Sequence, residues 1–398
     1  MSRFNIAFVG KHPFNPYMGG VERVTDILAK EFIRRGYNVW YLCETAPEPT
    51  SCQYNYPVEL IILPEVGGFR NSINIEAYKR FLCDKKIDIV VNQQGYAPVM
   101  NNVLRLAKTI SVVHTSEDGL VKMDMSYSRM LRCDKSVAGL LKWLLKICGY
   151  PIYIYYKRFI LEKGLKAHYR ALANDSAAVF MLSDSDCIAF EKRISPIKAN
   201  TFTVINPSGI EQEPFSTFHK EKIILYVGRI DSVIKKPIRL LKIWKMLCAK
   251  HEDWRLIFVG EGDQLQTMRD YVERNKLQNV SFDGHQKELL DYYRRASFIC
   301  LTSESEGFGM ALVEGMTYGC IPVTFGNVGI AERIIDGQDG VLVPEHNLST
   351  YRNRLEDLMD NEEKRRRLSY NAFLKSQQFS VDIIVNQWEK IFDSIMAN

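Results

Sequence analysis

The chain has 398 residues, 46% hydrophobic and 25% charged, with a formal net charge of +5. That length exceeds what one hydrophobic core usually organises and predicts two domains, while the composition excludes collagenous, low-complexity and disordered classes. No run of eighteen apolar residues occurs, so no membrane-spanning helix is expected; nine cysteines without a CxxC indicate neither a disulfide framework nor a zinc site, which fits a reducing cytoplasm.

In chain order, "FNIAFVG" reads as a first strand, since it is short, ends at Gly10 and has no small-residue cleavage site of a signal peptide. The helix-period segment "GGVERVTDILAKEFIRRG" follows, then the strands "NVWYLC" and "VELIIL". "IDIVVNQ" leads to a predicted helix "APVMNNVLRLAK", then to the strands "TISVVH" and "AAVFMLS". Between these last two lies a basic, aromatic insertion, about residues 119–170, with eleven Lys/Arg against Asp124, Asp134 and Glu162. This local excess of +8 leaves −3 for the rest, and suggests a phosphate-bearing partner, a lipid surface, or simply solvated helix faces. Its longest apolar piece, residues 147–156, contains Gly149 and Pro151 and is too short to span a bilayer, so the segment either lies on a membrane surface or lines a domain cleft.

The aperiodic stretch "TVINPSGIEQEPF" breaks the pattern, and a second series starts at "KIILYVGR". It continues through "RLLKIWKMLCAKH", "WRLIFVGEG", "QLQTMRDYVERNK", "VSFDG", "KELLDYYRRA", "FICLTS", "SESEGFGMALVEGM" and "IPVTF". Strand–helix alternation repeated twice predicts an α/β chain of two doubly wound, Rossmann-like domains. The boundaries expected are 1–208, 209–378 and a last amphipathic helix, 379–398, with Ile384, Trp388 and Ile391 on one stripe, crossing back to the N-terminal domain. Parallel sheets bind ligands beyond the carboxyl ends of their strands, so two facing domains would hold a ligand in the cleft between them.

Three strand ends of the second series supply Arg229, Lys235 and two glycine-rich turns, around Gly260–Gly262 and Gly307–Gly309. In "SESEGFGMALVEGM" Glu306 and Glu314 stand eight positions apart around a turn that opens a helix. Acidic residues suit helix starts in any protein. The sharper reading is that the turn's amides hold an anion while the carboxylates hold hydroxyls.

Together the motifs resemble the retaining glycosyltransferases of family 4 in the GT-B superfamily. The matching residues are "GGVER" (19–23), "VGR" (227–229), Lys235 with Leu240–Leu241, "VGEG" (259–262), "FDG" (282–284), "SESEGFGMALVEGMTYGCIPV" and "DGQDGVLVP" (336–344). The match is dense from about 223 to 345 and thin from about 116 to 200. It implies a nucleotide diphosphate sugar as donor, UDP-linked by family frequency, and transfer of a hexose-type sugar with retention. In that reading Arg229 and Lys235 grip the diphosphate; Gly19, Gly20, Gly228, Gly260, Gly262, Gly307, Phe308 and Gly309 bring backbone to the donor. Glu314 holds the ribose hydroxyls, Glu306 lies near the donor sugar, and His114, ending "TISVVH", faces the cleft. Protein cations would make a metal unnecessary, and no cofactor is expected. The family commonly has Lys-Gly where this chain has Lys235-Lys236-Pro237, so either lysine could make the phosphate contact.

The acceptor expected is a saccharide or a polyprenyl-diphosphate-linked saccharide in surface polysaccharide or lipopolysaccharide synthesis, with 119–170 as a peripheral membrane contact and no nucleic acid as partner. Two other classes remain open: a nucleotide-sugar epimerase or hydrolase of the same fold, and a non-enzymatic membrane-surface protein. The "DSD" at 184–186 resembles a metal-binding DxD, but it follows a strand and opens a helix with Ser183 at the N-cap position, so capping accounts for it. "GEGDQL" lacks the third glycine of a nicotinamide fingerprint.

Overall fold

The computed structural model describes residues 4–47, 54–93, 106–114, 137–326 and 329–397, without the side chains of residues 70, 137–154 and 217. Two all-parallel sheets organise it. The first contains β1 (Asn5–Gly10), β2 (Asn38–Cys43), β3 (Glu59–Ile62), β4 (Ile89–Gln93), β5 (Lys108–Val113), β6 (Ala178–Met181) and β7 (Thr201–Thr203), in the order β3-β2-β1-β4-β5-β6-β7. The second contains β8 (Glu221–Val227), β9 (Arg255–Val259), β10 (Val280–Phe282), β11 (Ala296–Cys300), β12 (Ile321–Phe325) and β13 (Val341–Val343), ordered β10-β9-β8-β11-β12-β13. In each, the order reverses direction beside the first strand, which is where a doubly wound sheet opens a ligand crevice.

The strands read as continuous apolar runs because both faces are covered. Ile6, Ala7, Phe8 and Val9 are all fully buried, as are Phe298, Ile299 and Cys300. Helix α1 (Gly20–Arg34) buries Val24, Leu28 and Phe32, a stripe at four-residue intervals. Helix α2 (Ser72–Asp84) covers the other face through Tyr78, Phe81 and Leu82, which join Ala7, Val9 and Val90 in one cluster.

From residue 137 the basic insertion is helical: α3 (Val137–Asp175) is 39 residues long and runs through Gly149 and Pro151. Among its described side chains, Leu165, Tyr169, Leu172 and Ala173 enter a core beside Phe190 and Ile194 of α4 (Asp184–Ile194). Tyr155, Tyr156, Phe159 and Ile160 remain exposed. Residues 119–136 of the insertion and the predicted helix "APVMNNVLRLAK" up to residue 105 lie outside the described residues. Among the described residues no helix is long and apolar enough to cross a membrane.

In the second domain the helices are α5 (Ile238–Lys245), α6 (Leu265–Arg274), α7 (Leu290–Arg295), α8 (Met310–Thr317), α9 (Leu348–Asp360) and α10 (Glu362–Ser376). The last helix, α11 (Val381–Ala397), leaves that domain: Ile384, Val385, Trp388, Ile391, Phe392 and Ile395 belong to the core of the first sheet, against Phe8, Phe32 and Phe180. The stripe at Ile384, Trp388 and Ile391 thus faces a partner some 350 residues earlier, since Arg35 of the α1 end also donates to Glu389 (2.8 Å).

The "DSD" segment is a helix start. Ser183 Oγ accepts from the Asp186 amide (3.1 Å) and donates to Asp186 Oδ2 (2.5 Å), a capping arrangement. A carboxylate from the other domain completes it: Glu332 accepts from the amides of Asp184 (2.9 Å) and Ser185 (3.2 Å). Negative charge at a helix N-terminus is favourable, so this contact joins the domains across one end of the cleft.

Candidate functional site

The carboxyl ends of the two sheets face each other across a cleft of about 590 Å³. It gathers Gly19, Gly20 and His114 from the N-terminal side and Gly228, Arg229, Lys235, Gly260, Glu306, Gly307, Phe308, Gly309 and Glu314 from the C-terminal side. Of the residues expected from the sequence, only Gly262 does not line it.

The glycines of the second domain answer to each other more than to a ligand. A Cβ on Gly260 (φ +141°) would sit 2.0 Å from the Gly228 carbonyl oxygen, and one on Gly262 would sit 2.2 Å from that of Ile230. The loops after β8 and β9 are therefore in backbone contact, with Gly228 N–H donating to Val259 O (3.0 Å) and Ile230 N–H to Glu261 O (2.7 Å). At these two positions the neighbouring loop leaves no room for a side chain. The Phe308 side chain is buried in the core beside Phe379, which leaves its backbone to the cleft.

After β8 the chain turns tightly around Asp231. Its Oδ1 accepts the amides of Val233 (3.0 Å), Ile234 (2.6 Å) and Lys235 (3.1 Å), and its Oδ2 accepts Arg229 Nε (3.0 Å). Burial pushes this carboxyl up, but the Ile234 amide and Arg229 outweigh it and hold it below its ordinary range. Arg229 is thereby fixed by one edge of its guanidinium while 62% of its side chain stays exposed, its Nη nitrogens free of partners among the described residues.

The backbone places the two lysines differently. Lys236 stands at φ +45°, the left-handed region that glycine occupies without strain, which accounts for glycine in the family pattern. Its Nζ donates to Glu304 (2.6 Å), away from the cleft lining. Lys235 lines the cleft, paired with Glu306. The Glu306–Phe308 turn is braced from behind by Gly329 N–H to Glu306 O (3.1 Å) and Ile330 N–H to Phe308 O (3.2 Å). The amides of Gly307, Phe308 and Gly309 donate to no acceptor among the described residues, and Gly309 (φ +89°) starts α8 directly behind them. Free amides, a helix start, a guanidinium and an ammonium converge on one space, a combination suited to an anion with several oxygens.

Glu314, on α8, is 2% exposed. Its Oε1 accepts Arg23 Nη1 (2.8 Å) from α1 of the opposite domain, and its Oε2 accepts the Tyr293 hydroxyl (2.7 Å). Burial raises its pKa, with Arg23 and Tyr293 pulling the other way. Arg23 was carried within "GGVER" but not singled out; Glu261 likewise within "VGEG". Asn206 and His285 also line the cleft, and nothing in their sequence neighbourhood marks them.

His114 directly follows β5 and bonds through Nε2 to Gln93 Oε1 (2.5 Å) at the end of β4; Gln93 Nε2 in turn donates to Thr25 Oγ1 (2.9 Å). With the Gln93 oxygen as acceptor, Nε2 carries the proton and Nδ1 is left as a buried acceptor with no partner among the described residues. Burial lowers the His114 pKa to about 4. The imidazole is then neutral at physiological pH, and its Nδ1 can accept a hydrogen bond from a hydroxyl. Because the unfolded chain titrates near 6.5, it binds more protons than the folded one between about pH 6.5 and 4, and stability falls as the pH drops through that window. Thermal unfolding of wild type and His114→Gln from pH 8 to pH 4 checks this: the wild-type Tm should fall more steeply below pH 6.5 than the variant's.

Two family descriptions match: Glycosyltransferase Family 4 over residues 18–206 and Glycosyl transferases group 1 over residues 209–375. The chain belongs to glycosyltransferase family 4. Among solved structures, sucrose-phosphate synthase of Thermosynechococcus elongatus superposes over 99% of this chain and 100% of its own, with TM-score 0.72 and 16% identity. The Anabaena protein HepE, in complex with UDP and glucose, does so over 98% and 100%, with TM-score 0.71 and 15% identity. These likenesses establish the GT-B fold. In sequence, the chain is 26% identical over 194 residues to an uncharacterized glycosyltransferase of Haemophilus influenzae, covering 48% of this chain and 55% of that one. It is also 26% identical over 222 residues to the GalNAc-alpha-(1->4)-GalNAc-alpha-(1->3)-diNAcBac-PP-undecaprenol alpha-1,4-N-acetyl-D-galactosaminyltransferase of Campylobacter jejuni, covering 55% and 60%. The alignment with these relatives thus spans little more than half their length. A capsular polysaccharide biosynthesis glycosyltransferase of Staphylococcus aureus aligns at 22% identity over 62% and 71% of the two chains.

Proposed function

We propose that this family member is a retaining glycosyltransferase that moves a hexose-type sugar from a nucleoside diphosphate, uridine first among them, to a saccharide or lipid-linked saccharide in surface polysaccharide assembly. The observation that carries the reading is the convergence of Arg229, Lys235 and the free Gly307–Gly309 amides on one space in the cleft, opposite Gly19, Gly20 and His114. The uridine and glucose held by HepE and the polysaccharide-building names of the relatives support it.

In this reading the acceptor hydroxyl attacks the anomeric carbon from the face that the diphosphate leaves. The anomeric C–O bond breaks toward the β-phosphate, and the departing phosphate oxygen takes the hydroxyl proton. Negative charge grows on the diphosphate as the bond lengthens, so donors fixed around it lower the barrier more than they tighten ground-state binding. Arg229 offers its free Nη edge, Lys235 a point charge held by Glu306, and the turn its amides. Glu314 accepts the ribose hydroxyls, while Glu306 and the bare Nδ1 of His114 accept from the sugar. Protein cations supply the counter-charge without a metal.

Thermal unfolding with a panel of UDP, GDP and ADP sugars tests the donor assignment, since a ligand bound only to the folded state raises the Tm. A UDP-sugar should give the largest rise, unchanged by chelator, and transfer product should keep the donor's anomeric configuration. No rise with any nucleotide would refute the donor site; sugar conversion or hydrolysis with donor alone at the transfer rate would favour the epimerase or hydrolase reading. For the acceptor, Tyr155, Tyr156, Phe159 and Ile160 lie exposed on α3 among Lys157, Arg158, Lys163 and Lys166. Such a face suits an anionic bilayer. Cosedimentation with vesicles containing anionic lipid, weakening as salt rises, is the expected result; no binding at low salt points to a water-soluble acceptor.

A further inference from the structure

We infer that Arg23, reaching from the N-terminal domain, is a positioning residue for the nucleotide: it holds the Glu314 carboxylate in place to receive the ribose hydroxyls, so the donor site is complete only when both domains are docked. This rests on the proposed role of Glu314. Arg23 and Glu314 are 291 residues apart in sequence and 2.8 Å apart across the cleft. Arg23 sits in the first turn of α1, its amide donating to Gly19 O (3.0 Å), so the Gly19–Gly20 turn that faces the donor space also aims the guanidinium.

The carboxylate it meets can serve three partners at once. An ionised carboxylate has about four acceptor positions. Arg23 occupies one on Oε1 and Tyr293 one on Oε2, leaving one on each oxygen for a pair of vicinal hydroxyls. Arg23 and Tyr293 therefore fix the plane of the group without exhausting it. A buried carboxylate is costly unless paired, and among the described residues Arg23 is the cation that faces this one. The other titratable groups nearby are Tyr293 on α7, Tyr17 beside Arg23, and Cys320, whose thiol donates to the Tyr293 carbonyl (3.1 Å). None of these supplies a positive charge; the next cation, Lys220, donates to the Tyr293 carbonyl (2.8 Å) and to Cys320 Sγ (3.5 Å), not to Glu314. Without Arg23, burial would leave more of Glu314 protonated at neutral pH, and a protonated acid accepts two hydroxyls less well.

A plain interdomain latch would behave differently, since breaking it would leave nucleotide affinity equal or improved. The test is calorimetric titration of the full chain with UDP, or with GDP or ADP if one of those stabilises the wild type instead. Arg23→Met should weaken binding roughly ten- to a hundred-fold, less than breaking a fully buried pair because 31% of the Arg23 side chain stays exposed, while Arg23→Lys recovers part of it. The ratio of variant to wild-type Kd should shrink as the pH rises from 5.5 to 8.5; taking the ratio cancels the ligand's own titration. Arg23→Met/Glu314→Gln should bind no more weakly than Glu314→Gln alone. The inference is overturned if Arg23→Met binds as tightly as wild type, or if its deficit is independent of pH and additive with Glu314→Gln. Wild-type binding by Glu314→Gln would instead sink the ribose assignment beneath it. Ligand-free Tm and circular dichroism verify folding, and if Arg23→Met does not fold, Arg23→Lys and Arg23→Gln carry the same comparison.

Discussion

Replacing Lys235 or Arg229 by alanine is expected to cut kcat/KM for sugar transfer by about 10²–10³ each, the loss typical of removing one donor from a preorganised charge-stabilising site. Both side chains reach the cleft from the loop after β8, where Asp231 binds three successive amides and sets their spacing. Asp231 keeps its three amide partners when Arg229 is lost, and it bonds the Lys235 backbone and not its side chain, so the variants should fold. In Lys235→Ala, Glu306 loses its ammonium partner and would repel the diphosphate, which places this variant at the heavier end. Lys235→Ala/Glu306→Gln should then recover part of the loss, whereas Lys236→Ala, whose amine pairs with Glu304, should be near wild type. Steady-state kinetics with the donor identified by the Tm panel decide the matter. Because the diphosphate gains charge only as the bond breaks, kcat and kcat/KM should fall together. A wild-type rate in purified Arg229→Ala would show that the diphosphate lies elsewhere.

The largest effect on stability is expected from Trp388→Ala. Trp388 is nearly fully buried, 4.7 Å from Phe180 and 6.1 Å from Phe32 between ring centroids, with Phe392 beside it. Removing an indole from such a site leaves a cavity and should cost about 3–5 kcal/mol, a large part of the 5–15 kcal/mol or so that holds a typical domain folded. The loss should appear in the unfolding of the N-terminal domain, although the residue lies ten positions from the chain's end. Urea titration followed by the fluorescence of the remaining tryptophans measures it. A cost under about 1 kcal/mol would mean that α11 is not part of that core.

Much of the site was legible because its chemistry is written in short motifs. Arg229, Glu306 and Glu314 stand where a strand ends or a helix begins, and the glycines between them mark turns that no other residue makes cheaply. What those glycines avoid was not legible. The 2.0 Å approach of Gly260 to Gly228 couples two loops 32 positions apart, and a sequence pattern records the requirement without its cause. The lysine ambiguity was of the same kind: Lys235 and Lys236 are chemically equal on the page, and only the left-handed backbone at Lys236 turns one of them away. That residues 137–175 form the single helix α3 was not legible, since Gly149 and Pro151 each disfavour a continuous helix by a local rule that the surrounding 39-residue element overrides.

The sequence by itself determined two strand–helix series, the break between them and the family to which the chain belongs. Those follow from periodicity and turn chemistry, which act between residues a few positions apart. Only the tertiary structure decided that Arg23 meets Glu314, that Glu332 caps α4 across the cleft, and that the last helix returns to the first core. Each of these joins groups separated by more than a hundred residues, and their partners are fixed by how two sheets with covered faces turn their carboxyl ends toward one another. The local code specifies each half of the cleft; the charges that close it are selected by packing.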